Sequence, residues 1–241
     1  MKKKMLHENV LEAEPAPEGK KDIAPRSGPG RPEGKNNNVR ETMLDAAEVT
    51  FSELGYAGTT LREVAQRASV TQALVSYYFG SKYGLFEQVF LRRGRVISDA
   101  RMENLNTLKS RGGMIKVADI VRAFLTPTLA LRATPEGRAF SRLQARLHTE
   151  PPEISYKLRN EAYDVSTKAY VDAFSTALPH LPKKDIYWRV TLMVGAYLYA
   201  FSDTHRLDQL AGGICDANDP EEILTQATAF LVGGLAAPAA G

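Results

Sequence analysis

The sequence lacks several features that would place it in a specialised class of protein. It contains one cysteine, Cys215, so an internal disulfide is impossible and a reducing compartment fits best. Its longest apolar stretch, residues 190–201, is too short for a bilayer core that needs about 20 residues. No apolar segment follows the lysines at residues 2–4, so we expect neither a secretory signal nor a membrane partner. These absences together predict a cytoplasmic protein.

A strong charge of one sign is also lacking. The 241 residues include 31 basic and 28 acidic side chains, and this net charge of +3 is too mild to indicate a nucleic-acid partner by itself. The surplus lies at the N-terminal end, where residues 1–35 hold 8 basic and 6 acidic side chains, whereas residues 99–241 hold 16 of each. We therefore expect any polyanion to meet the N-terminal part, and the C-terminal half to have another role.

Hydrophobic periodicity predicts an all-α fold. The first 38 residues combine many prolines and glycines with no periodic apolar face, which is typical of a disordered basic tail. From Val39 onwards, apolar residues recur at spacings of three and four, which predicts an amphipathic helix that ends at Gly55. No segment alternates with a period of two, so no sheet is expected. Longer helices are predicted near 82–110, 113–133, 136–149, 152–178, 184–211 and 219–236, with a kink at Pro127.

Two short helices joined by a tight turn are predicted at about 60–68 and 71–79. Thr60 and Glu63 form a capping-box pattern at the start of the first helix, and Thr71 caps the second. Such a pair after a longer helix is typical of a helix-turn-helix unit. By periodicity alone, a helix pair that only packs is equally consistent with the pattern, and the absence of Arg or Lys within the second helix argues against DNA.

The side chains predicted to face outward from the second short helix suit DNA chemically. Glutamine can bond an adenine edge with two hydrogen bonds, and alanine can contact a thymine methyl group. Hydroxyl groups and a lysine ammonium can hold phosphates, assisted by the free N–H groups of helix N-termini. The candidate DNA-binding residues are Thr60, Thr71, Gln72, Ala73, Ser76, Tyr77 and Lys82.

A series of short motifs at fixed spacing covers about 50 residues of this region. They are Arg40–Ala47, Phe51–Tyr56, Thr59–Ala65, Ala68–Thr71 and Tyr77–Lys82, followed by Leu85 and Phe86. Together they resemble the DNA-binding domain of the TetR family of bacterial repressors. The resemblance implies an all-α homodimer with an N-terminal three-helix helix-turn-helix domain, here residues 39–85, that binds double-stranded DNA at a palindromic operator. It also implies a helical effector-binding and dimerisation domain, here residues 86–241, to which a small-molecule effector binds and so releases the repressor.

The sequence departs from the family pattern in the turn and in its charge. Ser69 stands where the family usually has glycine, so the turn requires serine in a left-handed conformation. The reading helix has little basic charge, so we expect the tail and Arg92, Arg93 and Arg95 to add to the affinity for DNA. Within the tail, residues 28–32 resemble the core of an AT-hook that reads a minor groove, although a plain flexible leader is the favoured interpretation.

Apolar stripes on successive predicted helices of the C-terminal half are core residues in the first instance. In a TetR-like protein some of them would instead line an effector cavity between helices. Residues 140–143 and 187–196 resemble segments of the fatty-acid-responsive PsrA-like repressors, which implies an acyl-bearing effector. Arg142 and Arg146 could hold its anionic group, or pair with acidic side chains at the surface. The candidate effector-binding residues are Phe124, Leu129, Phe140, Leu143, Arg146, Met193 and Tyr197.

The last two predicted helices are expected to pair with their symmetry mates in a four-helix interface, as the resemblance implies. The side chains predicted to take part are Tyr187, Trp188, Leu192, Tyr199, Ile223, Phe230 and Leu231.

No residue pattern points to catalysis. The four histidines are scattered without metal-ligand spacing, and no nucleophile motif or glycine-rich phosphate loop is present. We therefore expect no enzyme activity, no cofactor and no metal. The alternative that stays open is a helical lipid-binding protein or enzyme whose N-terminal helices only pack.

Overall fold

The computed structural model of the protein describes residues 33–202 and 205–239, and within them it contains helices and no strand. The all-α prediction is confirmed, whereas the predicted tail up to residue 32, with its AT-hook-like segment, lies outside the described residues. None of the described helices is long and apolar enough to cross a membrane. The helices are α1 (Glu33–Gly58), α2 (Leu61–Arg67), α3 (Gln72–Phe79), α4 (Lys82–Ser110), α5 (Val117–Leu131), α6 (Pro135–Leu147), α7 (Pro152–Ala177), α8 (Lys183–Phe201), α9 (Arg206–Ala211) and α10 (Pro220–Ala236).

Helix α1 begins earlier than predicted and is interrupted at the predicted glycine. It begins at Glu33, six residues before the predicted start at Val39. At Gly55 the backbone takes a φ of 73° and a ψ of 176°, which interrupts the helix at the predicted stop and leaves one short turn up to Gly58. A positive φ of this size is accessible to glycine at little cost because it has no Cβ.

Helix α5 runs through Pro127 although proline cannot donate a backbone hydrogen bond. The carbonyl that would have accepted that bond is the one of Ala123, four residues earlier. In the structure the side-chain amide of Asn104, on α4, donates to this carbonyl at 3.2 Å. The neighbouring helix thus satisfies the group that Pro127 leaves free.

The single helix predicted over 184–211 is wrong, because α8 ends at Phe201 and α9 begins at Arg206. His205, just before α9, has a φ of 55°, in the left-handed region that does not continue a helix. The guanidinium of Arg132, at the end of α5, donates to the carbonyl of Phe201 and so satisfies an acceptor at the buried end of α8. This partner lies 69 residues away in the sequence, beyond the reach of local patterns.

The core consists of two apolar clusters with polar side chains between them. The DNA-end cluster joins α1, α2 and α3 to the first half of α4, to α6 and to the start of α7. The far-end cluster joins the second half of α4 to α5, the second half of α7, α8 and α10. Between the two lies a set of polar residues that we call the polar belt. It consists of Ser98, Arg101, Thr128, Gln144, Tyr163 and Ser166.

Helices α4 and α7 carry both clusters and approach each other closely. A Cβ placed on Gly94 of α4 would lie 2.9 Å from the Cβ of Ala162 on α7, nearer than carbon atoms pack, so only glycine fits there. Below this contact, the Ser98 hydroxyl donates to the Ser166 hydroxyl at 2.8 Å. Helix α4 therefore connects the α1–α3 region to the rest of the molecule through close packing against α7.

Candidate nucleic-acid interface and effector site

The α2–turn–α3 unit is built by local hydrogen bonds, as the sequence predicts. The Thr60 hydroxyl accepts from the Glu63 N–H at 3.2 Å while the Glu63 carboxylate accepts from the Thr60 N–H at 2.7 Å, which completes the capping box. The Thr71 hydroxyl accepts from the Leu74 N–H at 3.2 Å and caps α3. Ser69 has a φ of 55°, so the turn does hold serine in the left-handed conformation.

Helix α3 has one buried face and one face open to solvent. Val75 and Phe79 are buried in the DNA-end cluster. Gln72, Ala73 and Tyr77 face solvent, and Tyr77 has 82% of its surface accessible. Ser76 is half-buried beside them. The structure therefore presents four of the candidate DNA-binding residues on one short helix.

Thr60 and Thr71 lie at the two helix starts that flank the turn, and both are exposed. Their hydroxyl oxygens accept the capping bonds described above, so each keeps a hydroxyl proton or lone pair for an outside partner. In Thr60 that proton is directed to the Glu63 carboxylate at 2.9 Å. Thr71 is therefore the freer donor of the two.

Arg62 is a candidate that the sequence analysis did not select. It is exposed on the first turn of α2 and makes no ion pair or hydrogen bond to any residue that the structure describes. Arg67, at the other end of the helix, is held instead by Glu53 at 2.6 Å. The signal for Arg62 was its place between Thr60 and Glu63 of the capping box, on the outward side of an amphipathic helix.

Lys82 turns inward rather than toward open solvent. Its ammonium donates to the carbonyls of Tyr56 at 2.8 Å, Thr59 at 3.0 Å and Ala57 at 3.3 Å, and it lies 4.6 Å from the centre of the Tyr56 ring. These carbonyls are the unpaired acceptors where α1 ends, and a cation at a helix C-terminus is favourable. Lys82 thus holds the end of α1 to the start of α4.

Three arginines that were expected to add to DNA affinity are engaged within the protein. Arg92 pairs with Glu48 at 2.9 Å, and it also reaches Glu41 and Asp45 on α1. Its pKa is raised, because the bonds and charge of Glu48 and the other carboxylates outweigh the lowering effect of burial. Arg93 and Arg95 are likewise paired, with Glu48 at 3.0 Å and with Glu161 at 2.5 Å respectively.

The end of α1 also touches α6. The Tyr56 N–H donates to the Glu150 carboxylate at 3.1 Å. Arg146 lies beside it, since a Cβ on Gly55 would be 3.3 Å from the Arg146 Nη1 atom. Arg146 was a candidate for effector binding, and the structure places it at this junction instead of at a cavity. Glu150 and Arg146 therefore join the α1–α3 region to the C-terminal half.

The other candidate effector-binding residues do not meet in one cavity. Phe140 and Leu143 are buried in the DNA-end cluster, whereas the remaining four are buried in the far-end cluster. Those four are Phe124, Leu129, Met193 and Tyr197. Leu129 and Met193 border separate surface pockets, and Tyr197 borders a third, so they form core walls rather than a common site.

Tyr197 lines a cavity of about 490 Å³ between α8, α9 and α10. A volume of this size is within the range of small-molecule sites. Most of its wall is apolar, including Ile223, Phe230 and Leu231. Its charged or ionisable side chains are Arg132, at the end of α5, and three at α9, namely His205, Arg206 and Asp208. Among the residues that the structure describes, no three His, Cys, Asp or Glu side chains gather in a way that could hold a metal ion.

The outer face of α8 and α10 exposes large apolar side chains. Tyr187, Trp188, Leu192, Tyr199 and Phe230 are all more than half open to solvent, as the predicted dimer face requires. Ile223 is half-buried, and Leu231 is only 5% exposed because it packs in the far-end cluster. Leu231 is therefore a core residue, and its prediction as an interface residue is corrected. We refer to the five exposed side chains as the apolar face.

Two protein-family models match the chain. The model described as bacterial regulatory proteins of the tetR family matches residues 43–89, and the model described as a tetracyclin repressor-like C-terminal domain matches residues 122–234. The first contains the α2–turn–α3 unit, and the second runs from α5 into α10.

Similar proteins with curated names match over a short stretch. The HTH-type transcriptional regulator BetI of Paraburkholderia xenovorans is 52% identical over 48 residues, and that of Burkholderia thailandensis is 48% identical over the same length. Each match covers 20% of this chain and 25% of the relative. The chain thus aligns with about a quarter of the length of these relatives.

Solved structures match over most of the chain. A TetR-like transcriptional regulator from Rhodococcus sp. RHA1 has a TM-score of 0.58 at 19% identity, covering 83% of this chain and 97% of the other. The TetR family regulator PfmR from Thermus thermophilus has a TM-score of 0.55 at 14% identity, covering 80% and 96%. At such identities the likeness shows a shared fold, in both the N-terminal and the C-terminal parts.

Proposed function

Because the chain belongs to the TetR family of bacterial regulatory proteins, we propose that it represses transcription as a homodimer that a small-molecule effector releases from DNA. The observation that carries this proposal is the solvent-facing side of α3. There a capped, short helix presents Gln72, Ala73 and Tyr77 away from the core, with Ser76 beside them. Tyr77 is 82% exposed, so burial in the core does not account for a tyrosine at this position.

In the proposed complex α3 lies in the major groove. Small side chains near its N-terminus allow close approach, since the groove is about 12 Å wide and admits one helix. Gln72 reads an adenine edge, and Ala73 contacts a thymine methyl group. Thr71, Ser76 and Tyr77 bond phosphates along the groove edges, which fixes the register of the helix without reading sequence.

Arg62 and Lys82 take different parts in this proposal. Arg62 has no protein partner among the described residues and provides a phosphate contact from the start of α2. Lys82 is bonded to three carbonyls, so its contribution is to position α1 against α4. Any phosphate contact of Lys82 requires it to give up at least one of these bonds. The paired Arg92, Arg93 and Arg95 are not assigned to DNA.

The dimer is proposed to form through the apolar face. Trp188 and Leu192 on α8 and Phe230 on α10 are too large and too exposed to face water in a stable monomer surface. Next to them Gly195, Gly233 and Gly234 have open space where a Cβ would be, so a second helix could approach the backbone closely. Two copies of this face, related by a two-fold axis, give the four-helix interface. The dimer then has two identical α1–α3 regions, which we call the reading heads. Matched heads call for a palindromic operator.

The effector is proposed to bind in the C-terminal half, and the cytoplasm is the compartment in which both DNA and effector are met. The largely apolar cavity between α8, α9 and α10 favours a ligand with a sizeable hydrocarbon part. An acyl compound has this property, and it remains the proposed class. Release follows if the ligand binds better to a form in which the two reading heads are wrongly spaced.

The proposal is tested with the DNA that lies upstream of the protein's own gene. Fluorescence anisotropy measures binding of the full chain to this DNA and to a shuffled copy, over a range of salt concentrations, and footprinting maps the protected bases. We expect a palindromic footprint and an affinity that falls steeply with salt. Equal binding to both DNAs at low salt would contradict the proposal.

A further inference from the structure

Arg101 of α4 is a buried charge without an acidic partner. Its side chain is 1% exposed, and it makes no ion pair with any described residue. Its Nε atom donates to the Phe124 carbonyl at 2.9 Å and its Nη2 atom to the Thr128 hydroxyl at 3.1 Å. Its Nη1 atom donates to no residue in the described part of the chain. Buried charges in proteins are ordinarily paired, because removal of an ion from water is costly.

Further hydrogen-bond donors lie around the same guanidinium. Its carbon atom is 5.4 Å from the centre of the Tyr197 ring and 5.9 Å from that of Tyr163. The Tyr163 hydroxyl accepts from the Gln144 amide at 2.8 Å, and among the described residues its own proton meets no acceptor. The Tyr197 hydroxyl likewise has no hydrogen bond within residues 33–202 and 205–239. Three neighbouring donor groups thus lack an acceptor, which is the chemistry that complements an anion.

Tyr163 and Tyr170 remain neutral donors at physiological pH. Burial raises the pKa of Tyr163, and the nearby Tyr197 raises it further, whereas Arg101 lowers it by a smaller amount. Burial also raises the pKa of Tyr170, whose hydroxyl donates to the Arg101 carbonyl at 2.9 Å. Neither tyrosine can therefore serve as the missing counter-charge to the guanidinium.

Tyr197 lines the cavity of about 490 Å³ and also lies beside the Arg101 guanidinium. The centre of its ring is 5.7 Å from that of the Phe124 ring and 5.4 Å from the guanidinium carbon of Arg101. A rotation of the Tyr197 side chain would open this cavity toward the Arg101 guanidinium. The apolar cavity wall and the cationic end would then form a single site for a molecule with an apolar body and an anionic head.

We propose that Arg101, with the hydroxyls of Tyr163 and Tyr197, binds the carboxylate of an amphipathic effector whose apolar body occupies the cavity between α8, α9 and α10. This inference rests on the proposed function and specifies its ligand. The bound carboxylate draws Arg101 away from its bonds to α5. Because Arg101 and Lys82 are on the same continuous helix α4, this change is transmitted toward the end of α1 and the reading head.

The test compares ligands that differ only in the head group. Dodecanoate, dodecanol and dodecyl phosphate are titrated calorimetrically into the full-length wild-type protein and into the Arg101→Met and Arg101→Lys variants. We expect wild-type protein to bind dodecanoate at least about tenfold more tightly than dodecanol, since the guanidinium supplies a charge-assisted pair. Arg101→Met is expected to remove this preference and Arg101→Lys to retain part of it. Binding of dodecyl phosphate without dodecanoate would overturn the assignment of a carboxylate.

A second variant guards against misfolding. Tyr197→Phe keeps the ring and removes the hydroxyl, so we expect it to weaken dodecanoate binding about threefold or more while dodecanol binding is unchanged. Absence of dodecanoate binding to wild-type protein, or an equal preference in wild type and Arg101→Met, would overturn the inference. Operator binding is measured in parallel without ligand. If the wild-type protein does not bind the operator, the proposed function is contradicted. If it binds the operator but shows no preference for the carboxylate, only the Arg101 site is contradicted.

Discussion

The solvent-facing side of α3 and the apolar face on α8 and α10 are built from different side chains. On α3 the outward residues are small or polar, such as Gln72 and Ala73, with a single exposed ring at Tyr77. On α8 and α10 the outward residues are large and apolar, such as Trp188 and Phe230. The first surface suits a hydrated groove lined with polar edges, and the second suits another protein surface. A surface's composition thus indicates its partner even where net charge does not.

The two surfaces also differ in their support. Helix α3 is held by caps within a few residues and by Val75 and Phe79 in the DNA-end cluster. The apolar face rests on the far-end cluster, which is assembled from four distant segments besides α8 itself. The polar belt with Arg101 lies between these two clusters. A ligand at the belt is therefore in a position to influence both surfaces.

The largest effect is expected from a charge in the apolar face. Leu192→Asp would place an unpaired carboxylate in the proposed interface, where it loses its hydration. We expect the dimer dissociation constant to rise by about 1,000-fold or more, equivalent to about 4 kcal/mol. Light scattering at micromolar concentration would then give the mass of one chain. The matched control is Val165→Asp on α7, which is 73% exposed and lies outside the apolar face. A dimer that tolerates both changes would show that another surface mediates assembly.

The second prediction concerns the reading surface. Gln72→Ala should reduce the affinity for the operator by about tenfold, since a bidentate base contact contributes about 1–3 kcal/mol of discrimination. Binding to shuffled DNA should change little, so the sequence preference becomes smaller. Gln209→Ala on α9 makes the same change on an exposed residue of the C-terminal half and should leave both affinities intact. An equal loss on both DNAs would assign Gln72 to a phosphate instead of a base.

The third prediction separates a structural cation from a DNA-binding one. Lys82→Met removes the ammonium that three carbonyls share, and we expect the free energy of unfolding to fall by about 1–2 kcal/mol. Arg62→Ala should leave the denaturant midpoint unchanged and weaken binding to all DNA sequences alike. The slope of log affinity against log salt should then fall by about one. Denaturation measures the stability of both variants, and fluorescence anisotropy measures their affinity for DNA. If Lys82→Met is as stable as the wild type, Lys82 has no structural role.

The smallest effect is expected in the turn between α2 and α3. Ser69 has a φ of 55°, which costs a residue with a Cβ about 1 kcal/mol or more. Ser69→Gly should raise the free energy of unfolding by about 0.5–1 kcal/mol, after allowance for the greater freedom of glycine in the unfolded chain. Ser110→Gly, at the regular end of α4, should instead lower it. If both changes destabilise the protein to the same extent, the turn carries no strain.

The short-range features of this protein were predictable from the sequence. The capping box of Thr60 and Glu63, the cap at Thr71 and the break at Gly55 each depend on residues three or four positions apart. The family resemblance also predicted that Trp188 and Leu192 take part in an interface, and both side chains are exposed. On α4, Arg101 lies four residues after Ile97 and four before Leu105, so it occupies a position where the helix pattern calls for an apolar side chain. This spacing could have predicted from the sequence that Arg101 is buried.

Only the tertiary structure decided which side chains meet across helices. Phe140 and Phe124 both show core periodicity, yet they are buried in different clusters, because helix packing and not spacing along the chain determines their neighbours. Arg146 reaches the end of α1, and Arg132 ends α8 by bonding Phe201, over separations of about 90 and 69 residues. A sequence pattern specifies the face of a helix that is buried, because that depends on local geometry. The partner of that face, and hence the place of a ligand, depends on how the whole chain packs.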